Sequence, residues 1–374
     1  MKKIKKLVLM LAAAGLVGML AGCDTSSSSG GGEPATGGKI AKEAIVIDGV
    51  TFDKTAEVYA IETAVTVAGS DFIESSAAGD YKGVFINGRN VTLSPFIMGK
   101  YEVTQELYKA VMTGQKVTVD GTEYTLAAEP SECSDGSTDY VLAEGETQKY
   151  RPVEYVTWYD AVYFCNALSE KLNLTKAYTI KVTHVSSNHI TGATVTTVAN
   201  ANGYRLPTEA EWEFAARGGD PEADAWNYLF SGAATGKVST ADDGEEAKYS
   251  SSKNTGLDSV GWYLYNSANG TTSEATISSG TAGWGTHEVG IKEANLLGLY
   301  DMSGNVFEYC YDWKGSVSTG DVTDPTGASS GSYRILRGGS WNLYANGATV
   351  CGRSSDFPAH RYHGTGFRLC RNAK

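Results

Sequence analysis

The C-terminal stretch Tyr333–Lys374 constrains the fold more than any other part of the sequence. It opens on R-I-L-R-G-G-S-W and closes on G-F-R-L-C-R, two patterns that are typical of short buried strands. Between them lie about twenty-five small polar and aromatic residues with neither helical nor strand periodicity. Ordered ends around a patternless middle predict a rigid scaffold that displays this middle at the surface.

The N-terminus predicts export. A start rich in lysine is followed by the apolar run Leu7–Leu20, which is too short to span a membrane comfortably and ends in small residues, as a signal peptide does. The ending L-A-G-C at 20–23 resembles a bacterial lipobox, which implies cleavage before Cys23 and lipid attachment to Cys23. The alternative is an ordinary signal peptide in which Cys23 is incidental.

The domain organisation follows from this start. We expect a lipoprotein signal peptide at 1–22, the lipidated cysteine and a flexible Ser/Gly-rich linker at 23–43, and one folded domain at 44–374. The variable ligand-binding region within this domain is expected at 340–374. The expected location is the bacterial cell envelope, at the outer membrane or cell surface, and the sequence does not determine the leaflet.

Composition excludes several classes of protein. The 374 residues include 44 Gly, 22 Tyr, 7 Trp and only 8 Pro, which is typical of a loop-rich folded protein rather than a disordered chain or a membrane channel. The net charge of −12 argues against binding nucleic acid across the surface. Residues 341–374, by contrast, hold five basic residues against one acidic residue, so the charge of this end differs from that of the body.

Cysteine and histidine patterns do not indicate a metal site. Five cysteines remain after Cys23, an odd number without a C-x-x-C motif, so we expect buried free thiols with at most one or two bridges. His360 and His363 are spaced as two ligands could be, but no third ligand has a defined spacing. Contact residues of a binding face are the favoured interpretation of this pair.

Local signals place three helices and two hairpins. Thr104, Thr157 and Thr208 each stand where an N-cap is expected, and the last two have an acidic residue three positions later. Alternating β-branched residues predict a hairpin over 175–198. The turn N-G-R-N predicts another over 81–101. Short strands, a few capped helices and abundant loops together favour a single α+β domain.

Six phrases in a fixed order make the chain resemble a known family. They are G-K-Y-E-V-T (99–104), R-P-V-E-Y-V-T-W-Y-D-A (151–161), Y-R-L-P-T-E-A-E-W-E-F-A-A-R-G (204–218), G-L-Y-D-M-S-G-N-V-F-E-Y (298–309), R-G-G-S-W (337–341) and G-F-R-L (366–369). The chain from about residue 80 to its end resembles the formylglycine-generating-enzyme-like, or sulfatase-modifying-factor, domain. The resemblance implies a C-type-lectin-like α+β fold with short twisted sheets, two to three helices and long loops.

The resemblance also implies where catalysis would occur. Enzymes of this family carry a reactive cysteine pair after R-G-G-S-[WY], which binds copper and oxidises a substrate cysteine. The matching positions here are Leu343 and the stretch 346–348, and neither contains cysteine. We therefore expect a protein that is not an enzyme and requires no cofactor. The alternative is a formylglycine-generating-type oxidoreductase that uses Cys351 and Cys370 as a rearranged pair.

The segment that replaces the cysteine pair resembles the variable regions of proteins diversified by retroelements, and particularly those of treponemal variable lipoproteins. In that group a G-G-S-W start, an internal Arg and Pro, and a G-F-R end form a fixed frame, which here would include Arg353, Pro358 and Arg361. Its tyrosine, serine and asparagine content is typical of antibody-like recognition surfaces. The expected ligand-binding residues are Leu343, Tyr344, Asn346, Gly347, Gly352, Ser354, Ser355, Asp356, Phe357, Ala359, His360, Tyr362, His363 and Gly364.

These resemblances predict a surface-displayed ligand-binding lipoprotein, whose partner would be a protein or glycan on another cell or host surface. Tyr344, Phe357 and Tyr362 are the expected aromatic anchors. The other classes left open are the oxidoreductase above and a structural envelope lipoprotein without a specific ligand. The alternative that 342–365 is a degenerate loop of an inactive enzyme relative also stays open.

A calcium site is a further expectation from the family. Its enzymes hold calcium around the phrase that matches Ser303, Gly304, Val306 and Glu308, and oxygen-only ligation suits this ion. Glu308 could instead cap or salt-bridge within the core. The sequence leaves these two interpretations equally open.

Overall fold

Three helices begin where the capping signals predict. In the computed structural model, α1 (Gln105–Met112), α2 (Trp158–Lys171) and α3 (Glu209–Ala216) follow Thr104, Thr157 and Thr208, whose side chains accept backbone hydrogen bonds. A capping box closes the start of both α2 and α3. A fourth, short helix, α4 (Thr255–Val260), is capped by Asn254 and was not predicted.

The structure describes residues 38–70, 82–234, 254–268 and 279–373. The predicted signal peptide, Cys23 and most of the predicted linker lie outside these residues. Within the described ranges, no helix is both long enough and apolar enough to cross a membrane.

The strands are short and form several small sheets. Their bounds are β1 (Ile40–Lys42), β2 (Ile45–Ile47), β3 (Val50–Phe52), β4 (Glu57–Ile61), β5 (Val65–Ala68), β6 (Arg89–Leu93), β7 (Phe96–Glu102), β8 (Lys116–Val119), β9 (Thr122–Thr125), β10 (Tyr178–Ser186), β11 (His189–Thr197), β12 (Phe307–Trp313), β13 (Gly320–Thr323), β14 (Arg334–Arg337), β15 (Ser354–Asp356), β16 (Thr365–Gly366) and β17 (Arg368–Asn372). The predicted hairpin over 175–198 is confirmed as β10 and β11.

Two four-stranded sheets determine where the C-terminal stretch lies. One has the antiparallel order β1-β4-β7-β17, so the last strand of the chain pairs with β7, with Cys370 opposite Met98. The other has the order β15-β14-β12-β16, in which β12 and β16 run parallel. The predicted strand-like ends, R-I-L-R and R-L-C-R, are therefore confirmed as β14 and β17, and β14 is buried throughout.

The core consists of two clusters of buried side chains. One surrounds Trp212 of α3, and the other lies around α1 and α2 and includes Trp158 and Phe367. The patternless segment adds four of its own residues to the Trp212 cluster, namely Ala345, Ala348, Val350 and Cys351. Burial of these small apolar residues fixes the backbone of a segment that has little regular secondary structure.

Three predictions about the chain before β7 and the helices need correction. The hairpin over 81–101 is wrong, because its first arm at 83–86 forms no strand and its turn residues Arg89 and Asn90 belong to β6. These two residues pair with β13, so pairing with a strand distant in sequence outweighs the local turn signal there. The linker ends earlier than residue 43, since β1 pairs with β4. The described residues include the short helix α4 besides the expected two to three, and the α+β class is confirmed.

Candidate ligand-binding face

Arg337 fixes the start of the segment 342–364, which we name the recognition segment. This arginine ends β14 and is fully buried. Its Nη2 lies 2.6 Å from Glu213 Oε2 of α3 and donates to the carbonyl of Val350 at 3.0 Å, while Nη1 donates to the carbonyl of Gly352. A single side chain thus holds a helix and two backbone groups of the segment together.

Trp341 joins the two ends of the recognition segment. Its side chain is 1% exposed, and its Nε1 donates to the carbonyl of His363 at 3.0 Å. Its backbone N–H donates to the carbonyl of Asn305 at 2.8 Å, which ties the same residue to the loop before β12. The intervening chain is consequently a closed loop with fixed ends.

The three expected frame residues are each held by the body of the domain. The Arg353 guanidinium pairs with both carboxylate oxygens of Glu209, at 2.7 and 2.8 Å. The carbonyl of Pro358 accepts from the backbone N–H of Trp158 at 3.0 Å, at the start of α2. The Arg361 guanidinium lies 4.5 Å from the centre of the Tyr155 ring. The backbone of the recognition segment is therefore held by these three frame residues and not by the expected ligand-binding side chains.

An edge strand lies inside the segment that sequence patterns left irregular. Ser354, Ser355 and Asp356 form β15, which pairs antiparallel with β14 and lies at the edge of its sheet. All three side chains are half-buried. Asp356 Oδ2 is hydrogen-bonded to Nδ1 of the exposed His360, so these two expected contact residues form a pair.

Phe357 is the most exposed large apolar side chain of the recognition segment. It is 52% exposed, and its ring packs on that of Tyr333, with 4.4 Å between ring centres. Tyr333 is itself 42% exposed. The structure thus supports the expected role of Phe357 as an accessible aromatic and extends the surface to Tyr333.

Tyr344 differs from the expected exposed anchor. It is half-buried, packs against the Trp212 core cluster, and lies 6.0 Å from the Tyr265 ring between ring centres. In this position the buried part of the Tyr344 side chain contributes to the stability of the fold, and only the remaining part is accessible to a ligand. Apolar neighbours from 254–268 are the physical reason, and the sequence did not indicate that this stretch would pack here.

His363 lies within a cluster of aromatic side chains. Its ring centre is 4.2 Å from that of Tyr362 and 5.2 Å from that of Tyr140. Its Nδ1 lies 3.2 Å from the Tyr140 hydroxyl, and its Nε2 lies 3.2 Å from Asn342 Nδ2. Burial lowers the pKa of His363 below its usual value, an effect that the nearby Glu132 carboxylate opposes.

The remaining expected contact residues divide by burial. The prediction that Gly352 and Gly364 are displayed is wrong, because both residues are buried. The chain passes inward at both points, so these glycines belong to the frame. Half-buried positions that can reach a ligand are Leu343, Asn346, Gly347 and Ala359. Leu343 also accepts, through its carbonyl, a hydrogen bond from the backbone of Leu264 at 2.9 Å.

Cys351 and Cys370 are separate buried thiols. Both are free and at most 1% exposed. Burial raises the pKa of Cys351 to about 11 and raises that of Cys370 well above its usual value. Since the thiolate is the reactive form, neither side chain has the environment of an activated cysteine.

The expected calcium ligand Glu308 is committed to another partner. Its carboxylate is fully buried, receives two hydrogen bonds from Arg368 at 2.6 and 2.7 Å, and accepts a third from Trp212 Nε1 at 2.7 Å. A guanidinium in this position does not fit a cation site that uses Glu308. The alternative left open by the sequence, a core salt bridge, describes Glu308 instead.

Sequence patterns missed four residues beside the recognition segment. Tyr140 and Glu132 contact His363 from the loop before Arg151, Trp284 packs at a right angle to Trp341, and Tyr333 packs on Phe357. The only feature in the sequence that could have indicated these four residues is that each is an aromatic or acidic residue in an irregular loop. Such loops give no indication of which distant segment they cover.

The fold agrees with comparisons to known proteins. A chaperone protein LppX from Paenibacillus barcinonensis is 35% identical over 275 residues, covering 70% of this chain and 75% of that protein. A formylglycine-generating enzyme from Thermomonospora curvata is 30% identical over 292 residues, covering 75% and 83%. Treponema denticola variable protein 1 has a similar structure, with a TM-score of 0.60 and 30% identity, covering 88% of this chain and 98% of that one.

The family model agrees with these relatives. The model of the sulfatase-modifying factor enzyme 1-like domain matches residues 50–373, nearly all of the described chain. This range includes every framing contact described above, from Glu213 and Arg337 to Arg368. The chain therefore belongs to the family of sulfatase-modifying factor enzyme 1-like domains.

Proposed function

We propose that this protein is an exported, lipid-anchored binding protein that recognises its ligand non-covalently through the recognition segment. The ligand is a protein or glycan on another cell or host surface. The segment is the target of a diversity-generating retroelement, which varies its exposed side chains. Each of these statements goes beyond family membership.

One observation carries the proposal: the backbone of the recognition segment is anchored by residues that do not form its surface. Arg337, Trp341 and Arg353 hold it through buried ion pairs and hydrogen bonds. Phe357 and His360 remain exposed on the same segment. Fixed backbone with variable outward side chains is the physical requirement for a surface that changes specificity without unfolding.

The named relatives differ in function. They include proteins named as a chaperone, an enzyme and a variable protein, so the family alone does not assign an activity. The absence of cysteine from Leu343 and from 346–348 favours binding, because those positions match the reactive pair of the enzymes. Cys351 and Cys370 do not replace the reactive cysteine pair, because burial raises the pKa of both thiols and keeps them protonated.

A binding assay tests the proposal. The full-length protein, held in detergent, is presented to a library of short random peptides and to a glycan array. We expect selective retention by the wild type, and at least a tenfold loss in the double variant Phe357→Ser with His360→Ser, with unchanged thermal unfolding. Retention of neither probe class by the wild type would contradict the proposal.

The diversification part has its own test in the adjacent DNA. We expect a near-copy of the codons for 340–374 that differs mainly at adenines and lies beside a reverse transcriptase gene. Substitutions between copies should fall on codons for exposed residues such as Phe357 and His360, and should spare Arg353 and Trp341. Variation at the anchoring codons would contradict the proposal.

A further inference from the structure

Aromatic rings from three separate parts of the chain meet around His363. Tyr362 lies at 4.2 Å, Tyr140 at 5.2 Å and Trp341 at 5.5 Å between ring centres, and Trp284 packs perpendicular to Trp341 at 4.6 Å. Trp341 is buried, whereas the other four rings are half-buried. These half-buried rings form one π surface, by which we mean the contiguous cluster of rings at this end of the recognition segment.

A carboxylate borders this π surface. Glu132 Oε2 lies 3.6 Å from His363 Nδ1, and its side chain is 37% exposed. Burial keeps the pKa of His363 below its usual value, so the imidazole is mainly neutral at pH 7 and does not cancel this negative charge. The titratable groups that face His363 in the structure are Glu132, Tyr140 and Tyr362.

Glu132 belongs to an acidic loop, which we define as residues 129–146. The loop holds six acidic residues and neither lysine nor arginine. Glu129 pairs with Lys109, and Glu146 pairs with His287. The other four acidic residues of the loop have no lysine or arginine partner among the described ion pairs; they are Glu132, Asp135, Asp139 and Glu144. Three of the four are exposed, and Glu132 is half-buried.

The acidic loop lies against the recognition segment rather than elsewhere on the domain. The Tyr140 hydroxyl bonds with the His363 ring at 3.2 Å, and Cys133 Sγ lies 3.9 Å from the carbonyl of His363. Arg151 holds the loop from below, through a 3.3 Å hydrogen bond to the carbonyl of Tyr140. These contacts therefore hold the acidic loop in a fixed position beside the recognition segment.

We propose that the partner is a protein that places a lysine or arginine side chain against Tyr140, Tyr362 and His363, with its charge facing Glu132. This inference rests on the proposed function and names the chemistry of its ligand. A cation is attracted both by aromatic faces and by a carboxylate. The remaining acids of the loop, on a chain of net charge −12, attract a basic partner over a longer range.

The acidic loop lies outside 340–374, so its preference does not depend on the diversified residues. Substitutions on the recognition segment would change which basic protein is bound while Glu132 and Tyr140 keep the requirement for a cation. A lysine or arginine is attracted by the full charge of these carboxylates, whereas a neutral sugar gains only hydrogen bonds from them. For this reason the surface favours a basic protein over a neutral glycan.

The experiment begins with the random peptide library retained on the full-length protein. One retained peptide is then synthesised together with a copy in which each Lys and Arg is replaced by Gln. Their dissociation constants are measured with the wild type, Glu132→Gln, Tyr140→Phe and Glu170→Gln. Glu170 is the control, because it is an exposed acid, paired with Lys176, near the C-terminal end of α2 and about 18 Å along the helix from Trp158, which contacts Pro358.

We expect the retained pool to be enriched in lysine and arginine. Replacing the basic residues should weaken binding by about threefold to thirtyfold, and Glu132→Gln should weaken it by about twofold to tenfold. Tyr140→Phe keeps the aromatic face and should bind within about twofold of the wild type, as should Glu170→Gln. Added salt should weaken binding to the wild type more than to Glu132→Gln.

Outcomes that overturn the inference differ from those that overturn the proposed function. Retained peptides without lysine or arginine enrichment, or equal affinity of Glu132→Gln and Glu170→Gln, would overturn the basic partner but leave non-covalent recognition intact. Selective retention of neutral glycans alone would do the same. Retention of neither peptides nor glycans would overturn the proposed function, and this inference with it.

Discussion

The indole Nε1 of Trp341 donates a 3.0 Å hydrogen bond to the carbonyl of His363, and so joins the two ends of the recognition segment. Trp341 belongs to the R-G-G-S-W phrase, and His363 is one of the expected contact residues. The R-G-G-S-W phrase and the far end of the recognition segment are therefore parts of one closed structure. Strain or disorder at either end would be transmitted to the exposed side chains between them.

Trp341→Phe removes this hydrogen bond and part of a buried ring. We expect the free energy of unfolding to fall by about 1–3 kcal/mol, because the His363 carbonyl loses its donor and a small cavity is left. Urea denaturation measures the loss. Trp284→Phe, at a half-buried ring, is the control and should cost less. Equal costs for the two variants would contradict the bridging role of Trp341.

Arg368→Met leaves the Glu308 carboxylate buried without its cation. Both side chains are fully buried, so we expect a loss of about 3–5 kcal/mol in the free energy of unfolding. The double variant with Glu308→Met should recover part of this loss, since the Glu308 charge is removed together with its cation. Lys39→Met, in the exposed pair with Glu62, should cause no measurable change. A double variant as unstable as Arg368→Met would contradict the explanation.

Chelation should leave the protein unchanged if Glu308 is a salt-bridge partner rather than a calcium ligand. We expect the melting temperature of the full-length protein to be the same in excess calcium and in excess EDTA, because Arg368 and Trp212 already satisfy the Glu308 carboxylate. Differential scanning calorimetry provides the measurement. A melting temperature that rises with calcium concentration would contradict this assignment.

Glu154 should make stability depend on pH. It is fully buried, and burial raises its pKa to about 8. In the unfolded chain it loses its proton near its ordinary pKa of 4.5, whereas the folded chain keeps the proton up to about pH 8. Between these values the folded state binds more protons than the unfolded state, so the free energy of unfolding falls as pH rises.

Glu154→Gln isolates this contribution. The amide can still accept from the backbone N–H of Cys133, as Glu154 Oε1 does at 2.9 Å, but it does not titrate. We expect the variant to gain stability relative to the wild type as pH rises from 5 to 8, in urea denaturation at a series of pH values. A difference between the two proteins that is constant over this range would show that Glu154 has an ordinary pKa.

Phe357→Ala and Tyr344→Ala should separate recognition from folding. Phe357 is 52% exposed, so its loss should change the free energy of unfolding by less than about 1 kcal/mol. Tyr344 packs on the core cluster and Tyr265, so its loss should cost about 2–4 kcal/mol. Thermal and urea unfolding measure both. Equal stability of the two variants would place Tyr344 outside the core and restore it as an exposed anchor.

Short-range signals predicted the elements that depend on neighbouring residues. Thr104, Thr157 and Thr208 begin helices because each satisfies a free N–H within its own first turn. The β10–β11 hairpin forms because its strands are adjacent in sequence. The same logic failed at N-G-R-N, since Arg89 and Asn90 of the predicted turn belong to β6 and pair with β13, far along the chain.

The roles of individual charged and aromatic residues were less predictable. Glu308 matched a family calcium position, and only its contact with Arg368, sixty positions later, assigns it to a salt bridge. Tyr344 matched the composition of a binding surface, and only the structure shows that it packs against the core cluster and Tyr265. Side-chain environment depends on distant residues, which a local pattern does not contain.

The sequence by itself determined the α+β class, the family, the three capped helices and the two strands that frame the recognition segment. These depend on local hydrogen bonding and on ordered motifs that can be recognised without coordinates. Only the tertiary structure decided that Trp341 closes the segment on His363, that Arg337 holds its backbone, and that the acidic loop stands beside it. The physical reason is that burial and close contact between residues far apart in the chain exist only after the core has formed.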